Sequence, residues 1–322
     1  MDKINLTKRV VQIDAENLVP LIDLFLADSA KKNSAITIHN QRYQLSFLRR
    51  WWSTVGPETG WILTKDSFTD FLTWLEAQPN RQGKELSLNT MNRALKLTRQ
   101  ILHWAAKQEY MQSDIAAWVP MSKRNNQPFK RPLVEVAELN RLFRAANESS
   151  NPSRNCAILA ILIGTGIRRN ECSMLDLKNI HFDTGKRSGN IDVLYAKGGK
   201  ARQVRFDEAC GKYLIAYIVS RGKQPGPLFR SQRGGRLGAK GLHVAIKEMV
   251  KAAGLTKKVN GAHDFRRLFA THWLQAHRGE GFVQPLSLQL GHESAEMTLH
   301  YSKQTLKDTE RVFVSPMKFV DV

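Results

Sequence analysis

The chain has 322 residues, enough for about two domains, and its hydrophobic fraction of 42% supports packed cores and excludes wholesale disorder. The longest aliphatic stretch, around Cys156 to Ile163, is too short to cross a bilayer, and the amino terminus lacks the apolar run of a signal peptide. A net charge of +20, of which residues 126–322 carry +15, favours nucleic acid as partner, because each Lys or Arg near a phosphate releases a counterion.

Apolar residues at helical spacing predict that the first 120 residues are helical. Three helices are expected around residues 18–25, 45–52 and 68–75. A fourth is expected from about Ser87 to Gln108. Four of its residues are predicted to face inward, namely Leu88, Met91, Leu95 and Leu102.

The fourth predicted helix also carries a polar and basic stripe, formed by Asn89, Arg93, Lys96 and Gln100 at i, i+4, i+7 and i+11. Amide and guanidinium groups reach both phosphates and base edges, so the stripe is a candidate DNA contact. An ordinary solvated helix face has the same pattern. The spacing alone does not separate the two interpretations.

A break in composition follows at Ser122 to Pro132, which holds two prolines and four basic residues with almost nothing to bury. This composition is typical of a linker. We expect a helical DNA-binding domain over residues 1–121, a basic linker over 122–132 and a second domain over 133–322. Two domains joined in this way can close around a duplex as a C-shaped clamp, with four linker side chains along its backbone: Lys123, Arg124, Lys130 and Arg131.

The second half mixes helices with a small sheet. Two short strands, Asn190 to Tyr195 and Arg202 to Phe206, flank a glycine-containing hairpin turn. The fold class is therefore mainly α with a small antiparallel β-sheet. Helices are expected near residues 135–147, 153–163, 208–220, 238–253, 262–276 and 294–303, the second of them buried on nearly every side.

Four segments of the second half stand out because they combine basic, imidazole and phenol side chains. They are Gly164-Thr-Gly-Ile-Arg168-Arg-Asn-Glu171, the hairpin Ala196-Lys197-Gly198-Gly199-Lys200, His263-Asp-Phe-Arg266, and Leu290-Gly-His292 followed by Tyr301. Together they closely resemble the tyrosine recombinases, or phage-integrase family. They match its TGxRxxE, GKG (with Ala196 in place of the first glycine), HxxR and LGH boxes and a tyrosine nine residues past the last histidine.

The resemblance covers about residues 130–305, and the helical first domain fits the family's core-binding, SAM-like domain in size and position. It implies a site-specific recombinase that integrates, excises or resolves DNA through a covalent 3′-phosphotyrosine and a Holliday junction. It also implies specific sites in double-stranded DNA, a homotetramer on two such sites, and a cytoplasmic, nucleoid-associated enzyme. An accessory DNA-bending or directionality factor is compatible with it.

The chemistry of these side chains agrees with the resemblance. Attack on a phosphodiester builds negative charge on the non-bridging oxygens, and the planar guanidiniums of Arg168 and Arg266 suit that charge, with His292 as a third donor. No Asp/Glu cluster with metal spacing lies nearby, so we expect the arginines to replace divalent ions. The bond energy stays in the phosphotyrosine, so neither ATP nor a cofactor is expected.

The resemblance makes Tyr301 the nucleophile. A phenol needs a base, for which His263 is the best candidate, and Lys197 at the hairpin tip would protonate the leaving 5′-oxygen. Lys200 competes for that role, but Gly198 follows Lys197 as the motif requires.

The remaining candidates support or surround this set. Glu171 either orients an arginine, which we favour, or is simply an acid near a helix start. Arg169 is expected to be solvated, and His272 to have a packing or surface role. Lys200 and Arg202 are expected to contact DNA.

Two other functions share these residues. A type IB topoisomerase has the same tyrosine and arginine chemistry but acts as a monomer on any supercoiled DNA, and a non-catalytic DNA-binding regulator can use the same scaffold. The small first domain, which starts near residue 15, favours a simple recombinase without an arm-binding domain, of the Xer or mobile-element type. A longer spacing than the Xer pattern around Arg278 to Gly281 favours the mobile element.

The segment after Tyr301 has more apolar residues than a free, solvated terminus would have, among them Val312, Phe313, Phe319 and Val320. They either fold back on their own domain or dock on a neighbouring subunit, and we favour the second. A head-to-tail contact of that kind closes into a ring. The tail, about residues 302–322, is therefore expected to serve assembly.

Overall fold

The structure is a computed structural model and describes residues 18–55, 63–80, 82–111, 113–121, 132–194, 201–277 and 283–291. The chain divides into two units between Asn126 and Gln127, inside the segment predicted as a linker. Within the described ranges no helix is long and apolar enough to span a membrane. Residues 122–131 of the linker and the predicted helix at 294–303 lie outside the described residues.

The first unit is helical, as predicted. A shared core joins its helices and includes the large side chains Trp51, Trp52, Phe68 and Phe71. Thr64 and Ser87 cap two of the helices by accepting hydrogen bonds from backbone amides of the first turn. The helices are α1 (Leu18–Ala30), α2 (Ala35–Val55), α3 (Lys65–Glu76) and α4 (Leu88–Lys107).

One inward-facing residue of α4 was predicted wrongly. Met91, Leu95 and Leu102 are buried, whereas Leu88 is 44% exposed. Leu88 is the first residue after the Ser87 cap, so it extends past the end of the apolar face that the next turns pack into the core. The helix itself is confirmed.

The second unit is built around one central helix, α6, whose residues are buried from Asn155 onward. All residues from Asn155 to Thr165 are buried in α6, which packs against α5, α8 and α10, as its largely apolar sequence predicts. The elements are α5 (Val136–Asn147), α6 (Pro152–Thr165), α7 (Arg169–Met174), β1 (Ile180–Phe182), β2 (Gly189–Val193), β3 (Arg202–Phe206), α8 (Glu208–Arg221), α9 (Ala239–Ala252), α10 (Ala262–Ala276) and α11 (Val283–Leu290).

The three strands form an antiparallel sheet in the order β1-β2-β3, which confirms the predicted fold class. In its register Ile191 pairs with Val204, and Val193 pairs with Arg202 at the hairpin end. Three elements, β1, α7 and α11, were not predicted from the sequence. They have three, six and eight residues, too few for a periodic pattern to stand out.

Candidate active site

Three motifs that lie far apart in the sequence meet at the end of α11. Arg168 Nη1 and Nη2 donate to the carbonyl oxygens of Leu290 (3.4 Å) and Gly291 (3.0 Å). Arg266, which is 2% exposed, donates to the oxygens of Gly166 (2.9 Å) and Leu290 (2.7 Å). The two guanidiniums therefore share the Leu290 oxygen. The last carbonyls of a helix lack intrahelical partners and attract positive charge, so α11 supplies natural acceptors here.

Two glycines permit this close approach. Gly166 ends α6 with φ 68°, and a Cβ there would lie 2.8 Å from both Leu290 Cδ2 and Phe269 Cδ1. Gly291 has φ 66°, and its Cβ would lie 2.8 Å from Arg202 Nη1. The left-handed backbone and the lack of space both favour glycine at each position.

Glu171 is the acid of the site and is 2% exposed in its side chain. Its Oε1 accepts from Arg168 Nη1 at 2.9 Å and Arg202 Nη1 at 3.0 Å, and its Oε2 accepts from Arg202 Nη2 and the Arg168 backbone amide at 2.8 Å each. Burial opposes ionisation of the carboxyl, but these hydrogen bonds and charges outweigh burial and hold its pKa below the usual range. Glu171 is thus a buried carboxylate between two arginines.

The placement of Arg202 corrects a prediction. We expected a DNA contact, but its side chain is only 12% exposed, and its guanidinium binds Glu171 and, through Nε at 3.2 Å, the Gln289 oxygen. Both Nη atoms of Arg202, the pair that would bind a phosphate, are already paired with the carboxylate of Glu171. Sequence spacing could not show this, because Glu171 lies 31 residues away.

His263 lies in the first turn of α10, on the same helix as Arg266. The residue keeps an exposed side, yet desolvation of its ring, followed by the positive charge of Arg266, lowers its pKa from the ordinary value. A neutral imidazole at neutral pH is able to accept a proton.

The described site is strongly positive. Arg168 and Arg202 bind the carboxylate of Glu171, and Arg266 binds the Leu290 oxygen that Arg168 also contacts. Such an array of guanidiniums suits a phosphodiester whose charge increases on attack. Within the ranges that the structure describes, no group of three or more His, Cys, Asp or Glu is arranged to hold a metal ion.

Comparison with known proteins agrees with this geometry. The profile of the Phage integrase family matches residues 133–307, more than half of the chain, and that of the Phage integrase SAM-like domain matches residues 17–123. The chain belongs to the phage integrase family. As a tyrosine recombinase, the enzyme cleaves and rejoins DNA strands, so the predicted family and enzyme class are confirmed.

The relatives of the recombinase include Xer proteins. It is 31% identical to the tyrosine recombinase XerD of Mycobacterium tuberculosis, over 76% of this chain and 79% of the relative. It is 30% identical to XerC of Oceanobacillus iheyensis, over 73% and 74%. Among solved structures, XerH bound to its difH substrate matches with a TM-score of 0.71 at 20% identity, covering 93% of this chain and 97% of the other. The Tn1549 transposon integrase in complex with transposon end DNA matches at 0.64 and 16%, covering 90% and 98%.

Several predicted residues of the recombinase lie outside the described residues. They are Lys197, Lys200, His292 and Tyr301, the linker residues Lys123, Arg124, Lys130 and Arg131, and the tail. Gly291 immediately precedes His292, and the segment with Lys197 joins β2 to β3, which begins at Arg202.

The stripe on α4 belongs to the first unit. Asn89, Arg93, Lys96 and Gln100 are all exposed. Two further exposed residues, His103 and Lys107, continue it at the same spacing, and His103 Nδ1 lies 2.7 Å from Asp114 Oδ2. The stripe therefore extends about two helical turns beyond Gln100.

Two residues near the site have roles that the sequence did not suggest. The Gln289 side-chain amide donates to Arg205 O (2.9 Å) and accepts from Arg205 N (3.0 Å), so it attaches α11 to β3. Arg169 was expected to be solvated but is partly buried, and its Nε has no hydrogen-bond partner among the residues that the structure describes. After burial, its positive charge is the second cause that lowers the pKa of His243.

Proposed function

We propose that this recombinase cleaves specific DNA sites by attack of Tyr301 on the scissile phosphate. Arg168, Arg266 and His292 hold the phosphate oxygens, and Glu171 orients Arg168. The observation that carries the proposal is the shared Leu290 carbonyl, which holds the two guanidiniums side by side before any substrate binds. Fixed donors of this kind stabilise a transition state without reorganisation cost.

Proton transfers accompany the two bond changes. His263 accepts the phenol proton as the Tyr301 oxygen bonds to phosphorus, and its lowered pKa keeps it neutral for that step. Lys197 gives a proton to the departing 5′-oxygen, which leaves a 3′-phosphotyrosine and a 5′-hydroxyl. Attack by a 5′-hydroxyl reverses both steps, so rejoining uses no cofactor.

The working unit is proposed to be a homotetramer on two double-stranded sites. Exchange of two duplexes requires four cleaved strands and therefore four copies of the site. A solved structure described as a lambda integrase tetramer bound to a Holliday junction shares this fold, with a TM-score of 0.64 at 17% identity. The exposed stripe on α4 and the basic linker are proposed to hold each duplex.

Covalent trapping tests the proposed function. The protein is incubated with duplexes that share a randomised segment with a nick inside it, so that the short fragment released by cleavage diffuses away. SDS-resistant complexes are then recovered and the attached strand is sequenced. A recurring sequence, joined through its 3′-phosphate to Tyr301, is expected.

Tyr301→Phe is the decisive variant for the nucleophile. It removes one hydroxyl, so we expect duplex binding to stay intact while the covalent complex disappears. Tyr213→Phe is the matched control, because burial raises the pKa of Tyr213 to about 12 and the ring packs on Phe143. A covalent complex that survives Tyr301→Phe assigns the nucleophile elsewhere, and a parent protein that forms none refutes the proposal.

A further inference from the structure

Arg202 is the second arginine bound to Glu171, and the proposed catalytic steps give it no role. It enters from β3 and binds both oxygens of Glu171 as a fork, at 3.0 and 2.8 Å. With the two bonds from Arg168, the carboxylate accepts four hydrogen bonds, which fills its acceptor positions. Such a paired fork is the strongest geometry available between a guanidinium and a carboxylate.

The charges of this group suggest why a second arginine is present. Arg168 and Glu171 alone form a neutral pair, and a phosphate that approached Arg168 would meet a guanidinium whose charge is already offset. Arg202 supplies the missing positive charge from the side that faces the protein. The group of Arg168, Glu171 and Arg202 then has a net charge of +1, so Arg168 keeps a positive charge for the substrate.

Arg202 also contacts the segment that leads to His292. Its Nε donates to the backbone carbonyl oxygen of Gln289 in the last turn of α11, and its guanidinium lies within 2.9 Å of the place that a Cβ of residue 291 would take. Gln289 in turn bonds to the backbone of Arg205, three residues along β3. The start of β3, the end of α11 and the carboxylate of Glu171 are thus joined around one side chain.

We infer that Arg202 is a positioning residue that offsets the charge of Glu171, so that Arg168 keeps its charge for the scissile phosphate. The inference rests on the proposed function, in which Arg168 binds that phosphate. Arg202 itself touches neither DNA nor the reacting atoms. Its effect on cleavage passes through Glu171 and Arg168.

The test compares four variants on the nicked duplex recovered by trapping. Arg202→Met removes the charge and keeps much of the side-chain volume, Glu171→Gln removes the carboxylate charge, and the double variant removes both. Arg205→Met is the matched control, because Arg205 lies on the same strand with its side chain exposed and paired to Asp183. The rate of covalent-complex formation on saturated duplex and the salt dependence of binding are measured for each.

The inference predicts a specific pattern. Arg202→Met is expected to slow covalent-complex formation by about 10- to 100-fold, the usual range for a group that supports a catalytic side chain. Adding Glu171→Gln is expected to recover at least about fivefold of that loss, because the group regains its net charge of +1. The slope of log Kd against log salt is expected to stay that of the parent, since a lost phosphate contact would lower it by about 0.9. Arg205→Met is expected to cleave at the parent rate.

Other results would overturn the inference. A double variant that forms the covalent complex no faster than Arg202→Met would show that Arg202 only packs. A smaller slope of log Kd against log salt in Arg202→Met would show that Arg202 contacts DNA. Thermal unfolding is measured first, and if Arg202→Met does not fold, Arg202→Lys replaces it. That variant keeps the charge without the fork, and a rate more than about tenfold below the parent would then contradict the offset of charge. A parent without covalent complex refutes the proposed function instead.

Discussion

At the scale of single residues, the surroundings of Glu171 and His263 determine whether each side chain is ionised. Glu171 is ionised although it is buried, because two arginines surround it. His263 shows the opposite case, since desolvation and the neighbouring Arg266 both favour its neutral form. A neutral imidazole close to fixed guanidiniums fits the general-base attack on a phosphodiester that we propose.

The lowered pKa of His263 predicts the pH dependence of cleavage. In the proposed mechanism the neutral imidazole accepts the phenol proton, and a lowered pKa keeps the imidazole neutral to lower pH. The rate of covalent-complex formation should therefore fall on the acid side with a midpoint below about 6.5, the ordinary value for histidine. Single-turnover rates between about pH 5 and 8 measure this midpoint.

His263→Gln should lower the rate by about 10²- to 10⁴-fold and abolish this acid limb. His181→Gln is the control, because His181 is exposed on β1 and hydrogen-bonded to Asp192. An acid limb centred above about 6.5 in the parent, or one that persists in His263→Gln, would show that another group is the base.

At the scale of elements, the end of α11 organises the site. Eight residues form this helix, yet its last carbonyls hold Arg168, Arg266 and Arg202 together. Gly291 follows these carbonyls in a left-handed conformation, with Arg202 packed where a side chain would be. The three guanidiniums therefore hold the carbonyl end of this short helix, and the lack of a Cβ at Gly291 leaves room for Arg202 beside it.

Gly291→Ala tests this arrangement against a matched glycine. Both Gly291 and Gly185 have positive φ, 66° and 71°, so alanine costs about 1 kcal/mol of backbone strain at either position. At Gly185 no atom of the described residues lies within 4 Å of the added Cβ. At Gly291 the Arg202 guanidinium lies within 2.9 Å of it, and overpacking adds about 1–3 kcal/mol.

We expect thermal unfolding of the second unit to shift by about 2–4 °C for Gly185→Ala and by at least twice as much for Gly291→Ala. Cleavage should fall only in Gly291→Ala. Equal shifts in the two variants would show that Arg202 moves aside without cost and does not hold this segment.

At the scale of the whole molecule, each unit has its own apolar core, and the excess charge is uneven. Residues 126–322 carry 32 basic and 17 acidic side chains, which favours a phosphate-rich partner on the side of the chain that holds the catalytic motifs. The C-shaped clamp around DNA and the subunit contact through the tail stay predictions.

Deletion of residues 312–322 tests the role of the tail in assembly. If the tail docks on a neighbouring subunit, the truncated protein should unfold at the parent temperature and bind a single site normally. It should fail to pair two sites, and cleavage should fall because the position of Tyr301 then depends on a neighbour. Thermal unfolding, gel shift on one site and recombination between two sites measure these outcomes.

A truncated protein that aggregates or does not fold would show that the tail packs on its own domain. One that recombines two sites as well as the parent would leave the tail without a part in assembly.

The topoisomerase alternative is tested on the parent protein. Relaxation of supercoiled plasmids that lack the recovered site would indicate topoisomerase-like action.

The sequence by itself determined what short-range pattern encodes. The apolar face of α4, the uniformly apolar α6, β3 at Arg202–Phe206 and α10 at Ala262–Ala276 all follow from periodicity and composition, and the motifs identified the family. Only the tertiary structure decided which side chains meet. Arg168 and Leu290 are 122 residues apart. For Arg202 the sequence predicted a DNA contact and could not reveal its partners Glu171 and Gln289, which lie 31 and 87 residues away. Hydrogen-bond partners at such separations are fixed by packing, and no local pattern records them.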